Sequence, residues 1–447
     1  MRGLNLHRKK SPFVWLLEKE WRELVASRSW WILLLTMGPL VGVAFISAVR
    51  TYAELSGLNG TAGGVGEAFS PLVGVWAPTF SACEVAAAFL LPFVAIRAVG
   101  ADRQTGALKL ELQRPMPAAA RITAKAIVLA ARWLAAFAAP LLAVLLWKSY
   151  GGALYAPELA AVAAGHLLNA GLTIALAAAT ASVAEHPSTA AILTLGVTVG
   201  TWILNFIAAV HGGAWERAAG YTPTAMVAEF QHGLVRLDVA LTAVAFAAAG
   251  LVLAAIWMRI GTSIRRRVHE SAALAAATAA VVFACTFATA SWDLSESRGN
   301  SFSRADEAAL RQLDKPLRLE VHLAPEDPRR FDLETRAISK LRRTVPSLQV
   351  RYVSATSTGL FEQTSAHYGE IWYELAGRKM VSRTTTVEGV LEAIYSLAGM
   401  APPAESESDI FRGHPLAVPP RGAAAVFYGI WPAAVVAAAF VVRRSTA

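Results

Sequence analysis

Apolar runs dominate the chain: residues 30–48, 76–96, 122–147, 159–183, 190–210, 239–258, 272–290 and 423–442. A membrane-crossing helix needs about 20 mostly apolar residues. The pattern therefore predicts a mainly α membrane protein with about eight transmembrane helices. The polar block 292–421 breaks the pattern. Alternating positions predict strands over 317–323 and 348–354, and a hairpin of 370–375 and 379–383 around Gly377. Helices are expected over 304–313, 333–344 and 387–397, and a Pro-rich linker over 401–420. This order suggests a small thioredoxin-like α/β domain.

Ahead of the first apolar run, Pro12 suits a first helical turn. Phe13, Leu17, Trp21 and Leu24 recur at helical spacing, with Glu18, Lys19, Glu20, Arg22 and Glu23 between them. Glu18 with Arg22 and Lys19 with Glu23 are i,i+4 pairs of opposite sign. Residues 1–28 thus read as an amphipathic helix lying in the membrane interface. A cleaved signal peptide is excluded, because the apolar run is too long and no small-x-small site follows. After the second run comes GADRQTGALKLELQRPMPAAAR. Gly106 breaks its charged turn beyond Asp102. Leu108, Leu110 and Leu112 follow, and Pro115 and Pro117 end any helix.

Composition supports the membrane reading. Of 447 residues, 55% are hydrophobic and 16% charged, against about 25% charged in soluble domains. The net charge is +9. Its basic clusters lie at the N-terminus, after the second and sixth runs, and at Arg443 and Arg444. With alternating spans they share one side, so the positive-inside rule accounts for the charge without nucleic acid. This predicts cytoplasmic termini in a bacterial inner membrane, with 292–421 on the periplasmic or extracellular side. Cys83 and Cys285 sit in apolar stretches with no disulfide framework or metal spacing. His322 and His367 stand alone, so no metal or cofactor is expected in this chain. Inside the runs, Glu84, His166, Asn169 and Asn205 are candidate groups of a translocation path. Polar groups at that depth must face protein or water.

The loop after the second run is similar to the charged-Gly-Thr/Ala-Leu, then Pro-x-x-x-x-Arg pattern of ABC transporter type-2 permeases. LLEKEWRELVASRSWW resembles that family's connecting helix. YTPTAMVAEFQHGLVRLD (221–238) resembles the gliding-motility and nitrous-oxide-reductase-maturation permeases. WDLSESRGNSFS (292–303) resembles gliding-motility-associated auxiliary subunits, here shortened and fused. Gln104 and Ala107 depart from the usual choices. The resemblance implies a permease subunit, and favours an exporter, working as a homodimer with a separate ABC ATPase that holds ATP and Mg. It also implies ATPase coupling through Glu18, Glu20, Arg22, Asp102, Gly106, Leu108, Leu110 and Pro115. The implied division is 1–28 connecting helix, 29–267 six-span permease, 268–291 seventh span, 292–421 external domain and 422–447 eighth span with tail. The chain lacks a GxxxxGK[ST] loop, so it is not itself the ATPase. Alternatives are an ATPase-driven membrane scaffold that acts on envelope proteins through the external domain, and an intramembrane enzyme. The latter has no HExxH, GxSxG or paired aspartates to support it.

Overall fold

The computed structural model describes residues 11–58, 70–105, 116–211, 213–324, 327–353, 367–403, 414 and 421–446. Eight helices among them are long and apolar enough to cross a membrane: Arg28–Glu54, Leu72–Gly100, Ala118–Ser149, Ala156–Val183, Pro187–His211, Leu237–Trp257, Ile264–Cys285 and Ala423–Arg444. They are numbered here as spans 1 to 8. A connecting helix, Pro12–Ala26, precedes them. Ser11 caps it by accepting the Val14 N–H, and Ser27 breaks it with extended backbone before span 1.

All eight expected runs are found, with shifted ends. The seventh differs most. It was expected over 272–290 but starts at Ile264 and stops at Cys285. Arg266 and Arg259 both reach Glu270, so the basic turn is helical rather than a loop. Span 2 opens with a π turn, Leu72–Trp76, and breaks at Leu90 just before Pro92. Span 3 breaks at Phe137, ahead of Pro140. Proline removes a ladder donor and crowds the preceding turn, which accounts for both breaks.

The core belongs to spans 1 to 4. At least half of each apolar window there is buried, against 17%, 28%, 11% and 11% in spans 5 to 8. Trp30, Trp76, Trp133 and Trp147 are all fully buried in it. Span 8 packs on span 1 through a G-x-x-x-G pair. A Cβ on Gly38 would lie 2.1 Å from Trp431, and one on Gly42 would lie 2.5 Å from Phe427. Trp431 also donates to the Leu34 carbonyl at 2.7 Å. Small residues permit such close approach where lipid offers no hydrophobic drive.

Between spans 7 and 8 stands the α/β domain. Its sheet has the order β4-β3-β5-β6, with β3 Leu317–Val321, β4 Leu348–Tyr352, β5 Ile371–Leu375 and β6 Arg378–Ser382. β3 and β4 are parallel and the other pairs antiparallel. The β5–β6 turn needs positive φ at Ala376 and Gly377 (54° and 80°), as a tight two-residue hairpin does. The helical stretch between β3 and β4 begins at Pro328 and runs to Thr344, longer than the 333–344 expected, with Asp327 as its cap. Val387–Ala398 closes the domain.

Two three-residue strands join this domain to the bundle. β1, Leu234–Arg236, lies between spans 5 and 6, and β2, Ser291–Asp293, follows span 7. They pair antiparallel. The Leu294 N–H extends the ribbon to the Gly233 carbonyl at 2.8 Å, and the Asn300 amide donates to the His232 carbonyl at 2.6 Å.

Candidate functional site

Three polar assemblies lie along the bundle. The first is at the end where spans 2 and 3 meet. Lys125 Nζ donates to both Glu20 carboxylate oxygens at 2.8 Å and to the Ala98 carbonyl at 2.9 Å. Side-chain exposures of 2% and 4% mark this as a buried ion pair. It ties the connecting helix to span 3 and to the end of span 2. Beside it, the Arg132 guanidinium lies 3.5 Å above the Trp21 ring, a cation–π contact. A cavity of about 70 Å³ remains between these elements, with Glu20, Arg97 and Lys125 in its lining.

The connecting helix buries Leu16, Glu20 and Leu24. The expected apolar face of Phe13, Leu17, Trp21 and Leu24 is therefore rotated, and Trp21 is largely exposed. The buried pair explains the rotation, since a carboxylate enters the core only with its counter-charge. Lys19 and Glu23 form their expected pair at 3.3 Å. Glu18 is half-buried and Arg22 exposed. Asp102 lies in the helix Leu91–Thr105. Gly106, Leu108, Leu110 and Pro115 fall outside the described residues.

The second assembly surrounds a short helix, Pro223–Gln231, between spans 5 and 6. Thr222 caps it by accepting the Ala225 N–H. Three expected intramembrane groups meet this segment. The Thr222 hydroxyl donates to Asn205 Oδ1 at 2.9 Å. Thr224 hydrogen-bonds the half-buried Glu84. The Gln231 amide nitrogen lies 3.3 Å from His166 Nε2. His166 is buried against Phe80, with ring centres 5.7 Å apart, and its Nδ1 has no partner among the described residues. Asn169 is buried one turn further along span 4. Phe230 packs on Gly165, where a Cβ would lie 2.4 Å away. Spans 2, 4 and 5 thus bring Glu84, His166 and Asn205 to one helix.

The third assembly lies at the domain end. Glu158, in the first turn of span 4, is fully buried. Its Oε2 accepts the Glu296 N–H at 3.2 Å, while Oε1 has no partner among the described residues. The Glu296 carboxylate lies 3.0 Å from His414 Nε2. The His414 carbonyl accepts from the Tyr52 hydroxyl at 2.8 Å. Both tethers of the α/β domain, at Glu296 and His414, therefore converge on spans 1 and 4.

Lys125, Glu158 and Gln231 are absent from the sequence-derived candidates. Lys125 was detectable as a charge inside the run 122–147, and Glu158 as an acid one residue before the run 159–183. Gln231 carried no signal, because its role depends on how the Pro223–Gln231 helix folds back. No group of three or more metal-ligating side chains occurs among the described residues.

Residues 14–234 match the family described as ABC-2 family transporter protein. The match runs from the connecting helix to the first residue of β1. It supports an ABC transporter permease subunit, a multi-pass membrane component of transport. No curated protein and no solved structure matches the chain.

Proposed function

We propose that this chain is the permease of an ABC exporter, driven by a separate nucleotide-binding ATPase and working as a homodimer in a bacterial inner membrane. The observation that carries this reading is the family match over 14–234. That stretch holds the connecting helix, the buried Glu20–Lys125 pair and the polar assembly around Pro223–Gln231. In this reading both termini are cytoplasmic and 292–421 lies outside.

The ATPase docks on the exposed side of the connecting helix, where Arg22 lies, and on the loop from Asp102 through Gly106, Leu108 and Leu110 to Pro115. Glu20 acts indirectly, by locking that helix to spans 2 and 3. A push on the loop between those spans then moves helix and spans together. Glu84, His166, Asn169 and Asn205 line or gate the path. The α/β domain is thioredoxin-like in this account, a reading supported by its parallel β3–β4 pair followed by a hairpin and closing helix. Residues 292–303 support kinship with gliding-motility-associated auxiliary subunits. The domain gates the path: span 4 carries both Glu158, which holds the tether, and His166, eight residues on.

A second reading is an ATPase-driven device that acts on envelope proteins without moving a substrate. The firm β1–β2 attachment of the outer domain favours it. Two measurements test the proposal. A cysteine at Ser357, in a variant lacking Cys83 and Cys285, should label from outside in intact cells. Native mass measurement of the purified complex should find two permeases with two ATPases. Labelling only after permeabilisation, or one permease with one ATPase, contradicts the proposal. Replacing 298–419 by a flexible linker separates the two readings: with ATPase association kept, loss of a substrate movement that the intact chain performs favours the exporter, whereas loss of envelope partners with no substrate movement by either protein favours the device.

A further inference from the structure

The outer domain leaves an aromatic side chain in the open close to the membrane border. Phe331, in the helical stretch after β3, is 71% exposed. Its neighbour Arg330 stacks 4.2 Å above the Tyr352 ring and reaches Glu216 at 3.8 Å. Glu216 belongs to the short helix Ala214–Ala219. That helix begins three residues after span 5 ends at His211, so it lies within roughly 10 Å of the hydrocarbon edge at about 3.5 Å per residue at most. Trp215 on it is 50% exposed and Tyr221 just beyond it 44%. Aromatic rings of this kind concentrate at membrane–water interfaces. Arg217 and Arg336 are exposed as well, and neither has an ion-pair partner among the described residues.

We propose that the helix beginning at Pro328 beds on the bilayer, with Phe331 in the headgroup layer and Arg336 and Arg217 against anionic phospholipid headgroups. Exposed apolar area and unpaired positive charge are the two components of interfacial binding. The domain is tethered at both ends by spans 7 and 8, which keeps the local concentration of this surface at the membrane high. Bedding fixes the height of the sheet above the bundle, and so fixes where Glu296 meets Glu158. The inference rests on span 5 crossing a bilayer, and needs neither the ATPase nor a transported substrate.

The test uses the full chain without Cys83 and Cys285, in vesicles of phosphatidylethanolamine and phosphatidylglycerol. An environment-sensitive dye is placed at Phe331→Cys, at Lys379→Cys on the far β6 edge, or at Ile203→Cys within span 5. Lipid carrying a nitroxide near the headgroup should quench the dye at 331 strongly and blue-shift its emission. It should leave the dye at 379 bright. Arg336→Gln should weaken bedding roughly fivefold in these vesicles, at about the strength of one arginine near an anionic surface, and should change little in phosphatidylcholine. A dye at 331 as bright and red as that at 379 overturns the proposal. So does a dye at 331 that is blue-shifted yet not quenched by the headgroup nitroxide, which marks protein contact such as a second copy. If a deep acyl nitroxide fails to quench the dye at 203, the membrane placement of span 5 falls, and this inference falls with it.

Discussion

Two carboxylates are buried at opposite ends of the bundle, and they are held differently. Glu20 has an ammonium group on both oxygens at 2.8 Å. Glu158 has one backbone N–H at 3.2 Å and an oxygen with no partner among the described residues. A buried ion pair is hard to break, because removing one partner strands a charge. A buried oxygen without a partner leaves its contact marginal. The connecting helix is thus clamped to spans 2 and 3, while the contact of the α/β domain with span 4 at Glu158 is easily exchanged, the β1–β2 ribbon being its firmer attachment. In the proposed permease, this would place stiffness at the end assigned to the ATPase and freedom at the end assigned to the path.

The sharpest test of this comparison applies related changes to both ends. Lys125→Met should cost about 3–5 kcal/mol by leaving Glu20 buried and unpaired. Adding Glu20→Met should recover much of that loss. Thermal unfolding in micelles, with protease sensitivity of the connecting helix, reads both variants. Next in size, Gly38→Val drives a side chain into Trp431. It should cost about 1–3 kcal/mol as overpacking, and should loosen span 8 from span 1, read as faster proteolysis near Gly422, while spans 2 to 4 keep their packing.

Glu158→Gln should cost less, within about 1 kcal/mol, since an amide oxygen still accepts the Glu296 N–H. A loss at Glu158 as large as that at Lys125 would erase the contrast between the two ends. The smallest effect is expected in the α/β domain. Hydrogen bonds from Arg329 hold the Asp327 carboxyl down at about 2, below its ordinary 3.8. A carboxyl depressed on folding stabilises above its unfolded value and loses that contribution as pH falls through the folded one. The protection factors from hydrogen exchange at the start of the Pro328 helix, taken relative to intrinsic exchange at each pH, should therefore be unchanged from neutral pH to about 4 and fall towards about 2. Arg329→Gln should move that fall to higher pH.

The eight spans were legible because lipid demands long apolar runs, and β3 because Leu317, Leu319 and Val321 alternate into the core. The hairpin was legible from Gly377 between two alternating stretches. Span ends were less legible. At span 7, helix continues through Arg265, Arg266 and Arg267, where hydropathy ends but hydrogen bonding does not. The strands β1 and β2 are three residues each, too short for a period to show. The site was legible as a set of residue types more than as an arrangement. Glu84, His166 and Asn205 stood out as polar groups in apolar runs, but their common partner, the helix Pro223–Gln231, was legible only as a family-like segment (221–238) with no sign of what it touches. Glu20 was legible as a coupling residue of the connecting helix but not as a buried one, because its partner lies 105 positions away at Lys125.

The most direct test of the central claim, a permease clamped at one end and driven there by an ATPase, is photocrosslinking in native membranes. A photoreactive residue replaces Arg22 on the exposed side of the connecting helix, and a second variant carries it at Lys379 on the β5–β6 hairpin. Mass spectrometry identifies what each captures. The account predicts a nucleotide-binding ATPase, with its phosphate-binding loop, from position 22 and none from position 379. An ATPase captured from 379, or none from 22 in membranes that contain the assembled complex, would contradict it.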